Sequence, residues 1–366
     1  MEVHLDGFLN QNDSYDYDQN YEYKDEFEPR SSASVLIPVL YSLELVVGLL
    51  GNGLLLAVLA QKRQSWRVSD TFILHLSVAD ILLLVTLPFW AAQSAQQGGW
   101  CFGSFLCKIS GAVFNINFFC GIFLLLCISM DHYLSIVHGT QLFSQQRPWL
   151  AHISCLSAWL VSIFITIPDC IFLAPSNDSE QKKTLCAHNF SQSVTDWKLV
   201  SRLLHHTLGF LLPAAAIITC ISLILLRLQR STKGFKKQRA LMVILPLVLV
   251  FFFCWMPYNI ALMVDTSSSH SSKEPDAGSL EKALMFTSAL GCLHACFRPL
   301  LYFALCGNFR ERMLAMLRRA TTESEGSLWE LGVSGKAMPD QKHEVEEGEL
   351  KQMTSVDHQV QSSAQC

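Results

Sequence analysis

Apolar residues in this chain run in long unbroken blocks, not in the alternation of a half-buried strand or the single stripe of a surface helix. Seven blocks stand out: about Val35–Ala60, Thr71–Ala92, Phe105–Ile136, Leu150–Leu173, Val200–Leu228, Ala240–Val264 and Ala283–Leu305. A helix that is apolar on every side over ~20 residues matches the bilayer core, not a globular interior. The pattern therefore predicts an all-α membrane protein, a bundle of seven transmembrane helices over 35–305. Polar stretches separate the blocks at Gln61–Ser69, Ser176–Asp196, Gln229–Arg239 and Asp265–Lys282. The fifth block is the least sharply bounded, because Arg202, His205 and His206 sit in its outer turn. No internal repeat is visible, which argues against an inverted-repeat transporter.

Composition supports this reading. Of 366 residues, 51% are hydrophobic and 16% charged, with a mean hydropathy of +0.30; soluble domains carry roughly 25% charged residues. A soluble enzyme, a nucleic-acid binder and a disulfide-stapled secreted module are excluded. Lys62, Arg63 and Arg67, then Arg147, then Arg227, Arg230, Lys233, Lys236, Lys237 and Arg239 fall in the first, third and fifth loops, with no acid among them. This asymmetry places those loops inside and the N-terminus outside. Sequons at Asn12, Asn177 and Asn189 all fall on the outer side, as glycosylation acceptors must. Residues 1–34 lack the apolar stretch of a signal peptide. Cys107 at the top of the third block and Cys186 in the fourth loop are placed for a disulfide on the oxidising side, with Cys101 a competing partner.

The motifs narrow the class. Gly51-Asn52, Leu76-Ser77-Val78-Ala79-Asp80, Trp159 and Cys254-Trp255-Met256-Pro257 resemble the rhodopsin-like G-protein-coupled receptors. Thr86-Leu87-Pro88, Trp100-Cys101-Phe102-Gly103 and the run from Asp131 through His132 and Tyr133 to His138 resemble the chemokine receptors. Phe114-Asn115-Ile116-Asn117-Phe118, Gly209-Phe210-Leu211-Leu212-Pro213 and Asp265 resemble the CXC type 3 group of that family. The likeness extends over about Val35–Arg319. It implies a plasma-membrane receptor for small basic chemokines, not an enzyme, with no cofactor, no metal and no nucleic-acid partner.

On the ligand side, residues 1–30 hold nine acids against Lys24 and Arg30. Tyr15, Tyr17, Tyr21 and Tyr23 each stand beside an acid, Asp16 and Asp18 among them. Such an arm over 1–34 is expected to be disordered when free and to steer a basic partner; the family resemblance makes its tyrosines sulfation candidates. Glu44 and Asp265 are the acidic candidates of a pocket for the ligand's N-terminus, since an ionisable group at membrane depth is a functional hypothesis by default. Trp90, Trp100, Phe114 and Tyr258 are its aromatic candidates. Relatives commonly tie the arm to the last outer loop with a second disulfide, but here neither residues 1–34 nor 265–282 contain a cysteine.

On the signalling side, the chain departs from the family relay at four points. His132 stands in place of Arg, Ile221 in place of a Tyr, and Arg298-Pro299-Leu300-Leu301-Tyr302 in place of Asn-Pro-x-x-Tyr; Pro246 adds a second proline to the sixth block. His is shorter than Arg and titrates near neutrality. Ile221 has no hydroxyl, and Pro246 removes a backbone donor. Arg298 is costly at bilayer depth unless paired, and Asp80 is the expected partner, a tethered cation standing in for the family's exchangeable sodium. With Asp131, Tyr133, Trp255, Pro257, Pro299 and Tyr302 these residues form the activation switch. The departures point to an atypical receptor that binds and internalises CXC chemokine with weak or absent G-protein activation; a conventional receptor coupled to inhibitory G protein is the alternative. Residues 306–319 read as an amphipathic helix against anionic lipid. The tail over 320–366 carries Thr321, Thr322, Ser324 and Ser327 as phosphorylation sites for arrestin and internalisation to endosomes.

Overall fold

A computed structural model describes residues 32–61, 68–139, 148–178, 183–188, 197–230, 235–268, 277–307 and 309–319. Among the described residues seven helices are long and apolar enough to cross a membrane: α1 (Ser34–Gln61), α2 (Val68–Ala95), α3 (Gly103–His138), α4 (Trp149–Phe172), α5 (Trp197–Gln229), α6 (Leu241–Ser267) and α7 (Ser279–Leu305). Each expected block falls on one of them, with ends shifted by a few residues. Those shifts have a physical cause, because polar end turns such as Trp197–Arg202 remain helical although hydropathy no longer marks them. A further helix covers 309–319, with Phe309 and Met313 half-buried and Arg310 and Arg312 exposed. The acidic arm with Tyr15, Asp16, Tyr17, Asp18, Tyr21 and Tyr23, the sequons at Asn12 and Asn189, and Thr321, Thr322, Ser324 and Ser327 lie outside the described residues.

α3 is the axis of the bundle, packing on α2, α4, α5 and α6, while α7 packs between α1 and α6. Its aromatic core joins Phe118, Phe119, Phe210, Phe251 and Trp255. Prolines interrupt the hydrogen-bond ladders, and side chains fill the gaps. Pro299 has no N–H for the Ala295 carbonyl one turn back; Asn52 of α1 donates to that carbonyl instead, at 2.9 Å. Gly51 permits the approach, since a Cβ there would stand 2.7 Å from the Pro299 ring. In α2, at the break before Pro88, the Leu83 carbonyl takes both the Thr86 N–H at 2.9 Å and the Thr86 hydroxyl at 2.7 Å.

Outside the membrane-spanning helices, β1 (Leu173–Asp178) pairs antiparallel with β2 (Lys183–His188). This hairpin lids the outer end of the bundle and is pinned by the Cys107–Cys186 disulfide; Cys101 is a free, exposed thiol. The chain before α3 braces it again, through Trp100 N donating to Thr184 O at 2.6 Å and Thr184 N donating to Gly98 O at 3.1 Å. Gly99 makes the brace possible, with φ of +74° and no room for a Cβ against the Thr184 carbonyl. Gly99→Ala is therefore expected to cost at least ~1–2 kcal/mol, read as reduced surface expression and a lower melting temperature in detergent.

Candidate functional site

Beneath the hairpin lies a cavity of about 440 Å³. Phe114 and Tyr258 form its floor above Trp255, with ring centroids 5.2 and 6.0 Å from the indole. Trp90 lines it from α2, packed with residues of α1 and α7, and Asp265 lines it from α6, beside α5. These four sequence candidates meet in one chamber.

Two others do not. Trp100 is buried against the disulfide, in a cluster with Cys107, Leu173 and Cys186, and its indole donates to the Gly103 carbonyl at 2.9 Å; it builds the lid rather than the chamber wall. Glu44 is 1% exposed and is not among the residues lining the cavity. It lies one turn deeper than Tyr41, which does line the chamber and hydrogen-bonds Ser288 at 3.1 Å. Among the described residues, neither Glu44 carboxyl oxygen has a hydrogen-bond partner. It does not snorkel toward water.

Sequence reasoning missed the charged wall of the cavity. Asp169, next to Pro168 in α4, receives Asn115 Nδ2 of α3 at 2.6 Å and Ser201 Oγ of α5 at 3.1 Å. Arg202 Nη1 stands 3.5 Å from its Oδ1, and His188 Nε2 of β2 stands 2.9 Å from its Oδ2. One buried carboxylate thus ties three helices and the hairpin. Buried charges persist only when paired and hydrogen-bonded in this way. Toward the mouth, Lys198 Nζ stands 3.1 Å from Asp265 Oδ1, and Arg202 Nη2 stands 3.9 Å from Asp265 Oδ2. A turn below, His205 lies 3.2 Å from Asn259 Oδ1 and stacks on Phe118. Arg202, His205 and His206 are all buried, so the polar outer turn of α5 faces the bundle.

The second charged centre lies at mid-depth. Arg298 Nη1 stands 2.5 Å from Asp80 Oδ2 and donates to the Leu76 carbonyl at 3.2 Å. Asn117 donates to Asp80 Oδ1 at 3.2 Å, and His294 Nε2 lies 3.4 Å from the same oxygen. The His294 Nδ1 is 2.6 Å from the Gly291 carbonyl, so Nδ1 carries the proton. Asp80 is fully buried and Arg298 is 4% exposed. The carboxylate already holds a cation, one covalently part of α7.

At the cytoplasmic ends, Ile136, Ile224 and Leu241 close α3, α5 and α6 with apolar contact, Tyr133 against them. His132 Nδ1 lies 3.8 Å from Asp131. Ile221 is buried in the main core, as is Tyr302. α6 continues helically through Pro246 and Pro257. Asn177, on β1, accepts Thr184 Oγ1 at 2.9 Å on the exposed face of the hairpin. Asn177→Gln is expected to shift the electrophoretic mobility of the mature protein by one glycan, a difference that enzymatic deglycosylation should abolish.

Residues 51–302 match the family model of the 7 transmembrane receptor (rhodopsin family). The chain is 41% identical over 323 residues to the C-X-C chemokine receptor type 3 of Bos taurus, covering 85% of this chain and 86% of that one. It is 42% identical over 286 residues to the human type 3 receptor, covering 77% and 76%. With the C-X-C chemokine receptor type 1 of Oryctolagus cuniculus it shares 37% identity over 288 residues, covering 77% and 79%.

Proposed function

This chain belongs to the rhodopsin family of seven-transmembrane receptors and, within it, to the chemokine receptors, and from that premise we propose that it is a scavenger: it captures CXC chemokines, carries them into the cell and activates G protein weakly. The observation that carries the proposal is the Asp80–Arg298 pair. In a receptor that switches, α7 must rearrange against α2 and α3, and a ligand can drive that change only by its differential affinity for the two arrangements. A guanidinium of α7 clasped by a buried carboxylate of α2 and by the Leu76 carbonyl opposes the rearrangement, because separating the charges at this depth leaves both uncompensated. Two further losses weaken the active arrangement. Ile221 offers no hydroxyl to an opened α6, and His132 is too short to reach as an Arg would toward a bound G protein. The outer chamber, by contrast, keeps the acids and aromatics that suit a basic ligand.

Under this reading the receptor resides in the plasma membrane and passes to endosomes with its cargo, with arrestin recruited to the phosphorylated tail and the 309–319 helix lying on anionic lipid. Cells expressing the receptor should deplete labelled CXC chemokine from the medium. G-protein dissociation should reach about a tenth or less of that given by a signalling type 3 receptor, which corresponds to at least ~1.4 kcal/mol against the active arrangement. Strong dissociation at ligand levels that saturate binding would overturn the scavenger reading in favour of a conventional signalling receptor.

A further inference from the structure

The acid at the mouth of the chamber is already engaged from within. Asp265 of α6 is held by Lys198 Nζ at 3.1 Å, with Arg202 Nη2 at 3.9 Å behind it. The members differ in accessibility. Lys198 and Asp265 keep 25% and 20% of their side-chain surface exposed, whereas Arg202 and Asp169 keep 7% and 12%. Arg202 and Asp169 are therefore frame, fixed further by Ser201, Asn115 and His188. Lys198 is different in kind. It is the second residue of α5, on the outermost turn, and its ammonium is a hydrated point charge on a four-carbon stem rather than a buried planar fork hydrogen-bonded to Asp169.

We infer that Lys198 is a built-in competitor for Asp265, which a cationic group of the incoming ligand must displace, so that the pair sets which ligands enter the chamber productively. The inference rests on the reading that a basic chemokine enters this cavity, and it assigns the chemistry of the entering segment: an ammonium or guanidinium carried ahead of the chemokine's folded body. The exchange conserves charge. One ion pair between Lys198 and Asp265 opens, one between the ligand cation and Asp265 forms, and the released ammonium returns to water at the rim. Partly exposed pairs are individually weak, so the exchange is nearly balanced for a ligand that brings a cation. A ligand without one gains nothing from Asp265 and leaves the latch between α5 and α6 in place. Arg202, 3.9 Å from the same carboxylate, remains as a second and weaker competitor, which limits what removing Lys198 alone can achieve.

Deleting a charged residue of the binding cavity should therefore tighten binding. The test uses the full-length receptor on cells, a fluorescent CXC chemokine that gives saturable binding to the wild type, and the same chemokine cut back to its first cysteine. Lys198→Met should bind the intact chemokine about three- to fivefold more tightly and the truncated one with unchanged affinity, while Lys198→Arg, which keeps a cation against Asp265, should show no gain. Asp265→Asn should bring the intact ligand down to the affinity of the truncated one, and in that background Lys198→Met should have no effect. Surface labelling normalises each variant for receptor number. Unchanged or weaker binding of the intact chemokine by Lys198→Met would overturn the inference. So would an equal gain for the truncated form, since that would mean a change in cavity shape instead of a removed competitor. If no CXC chemokine binds the wild type, the proposed function itself falls, and this inference falls with it.

Discussion

Asp80→Asn is expected to be among the most damaging single substitutions in the bundle, through reduced surface expression and a thermal stability lowered by about 3–5 kcal/mol. The size follows from what is left behind. Where a buried carboxylate holds an exchangeable ion, neutralising it lets the ion depart, and the site closes over a neutral amide at modest cost. Here the cation is Arg298, 2.5 Å from Asp80 and 4% exposed, and it cannot leave. The Asn117 amide would keep a carbonyl to bond, but the guanidinium would keep only the Leu76 carbonyl. An unpaired charge at bilayer depth is among the costliest defects a helix bundle can carry. Thermal unfolding of detergent-solubilised receptor measures the effect, and a cycle with Arg298→Asn isolates its source. The double variant should recover most of the loss, because two facing amides can hydrogen-bond each other. A single Asp80→Asn variant as stable as wild type would show that the pair does not carry the weight assigned to it.

That pair was legible through the family resemblance, which sets Arg298 where relatives carry the Asn that faces Asp80; apolar context alone names no partner, since Glu44 and Asp169 are also acids inside apolar blocks. The positions of the seven helices were legible from physics alone, since bilayer thickness fixes the length of an apolar block. The charged wall of the chamber was not. Asp169 sits alone in its block, and its partners Asn115, His188 and Arg202 come from two other helices and a hairpin; no local periodicity links them. Arg202, His205 and His206 looked like a polar fringe that weakened the fifth block, whereas Arg202 and His205 turn inward onto Asp169, Asn259 and Phe118, and His206 is buried beside His205. Lys198, at the start of the same turn, showed no sign of its tie to Asp265 67 residues on. Glu44 was conspicuous as an acid in an apolar run, but its spacing from Tyr41 fixes only a shared helix face. Whether that face meets a cavity, lipid or packed neighbours depends on α7. Trp100 is a chamber candidate by its sequence, but its burial under the lid depends on where the Cys107–Cys186 disulfide brings β2.

On the scavenger proposal, strong G-protein signalling should appear only when the departures are reversed together. Arg298→Asn alone is expected to free Asp80, which keeps Asn117 and His294 beside it and becomes a site where sodium can bind. The first consequence is a ligand affinity that differs between sodium and choline media, a dependence the wild type should lack. G-protein dissociation should rise little, because α5 and α6 would still meet through Ile221, Ile244 and Val248 with no hydroxyl to hold an opened state, and His132 would still fall short of a docked G protein. His132→Arg alone should fail for the complementary reason, since the α2–α7 tether would remain. Combining His132→Arg, Ile221→Tyr and Arg298→Asn removes the restraint and rebuilds both contacts of the active arrangement. The three act on one equilibrium, so their effects should be strongly non-additive; the combined variant should gain at least about tenfold in G-protein dissociation, or roughly 1.4 kcal/mol of shifted equilibrium. A combined variant that reaches the surface, takes up chemokine and still leaves the G protein assembled would locate the block elsewhere. Pro246, inside the cytoplasmic half of α6, is the one departure it leaves untouched.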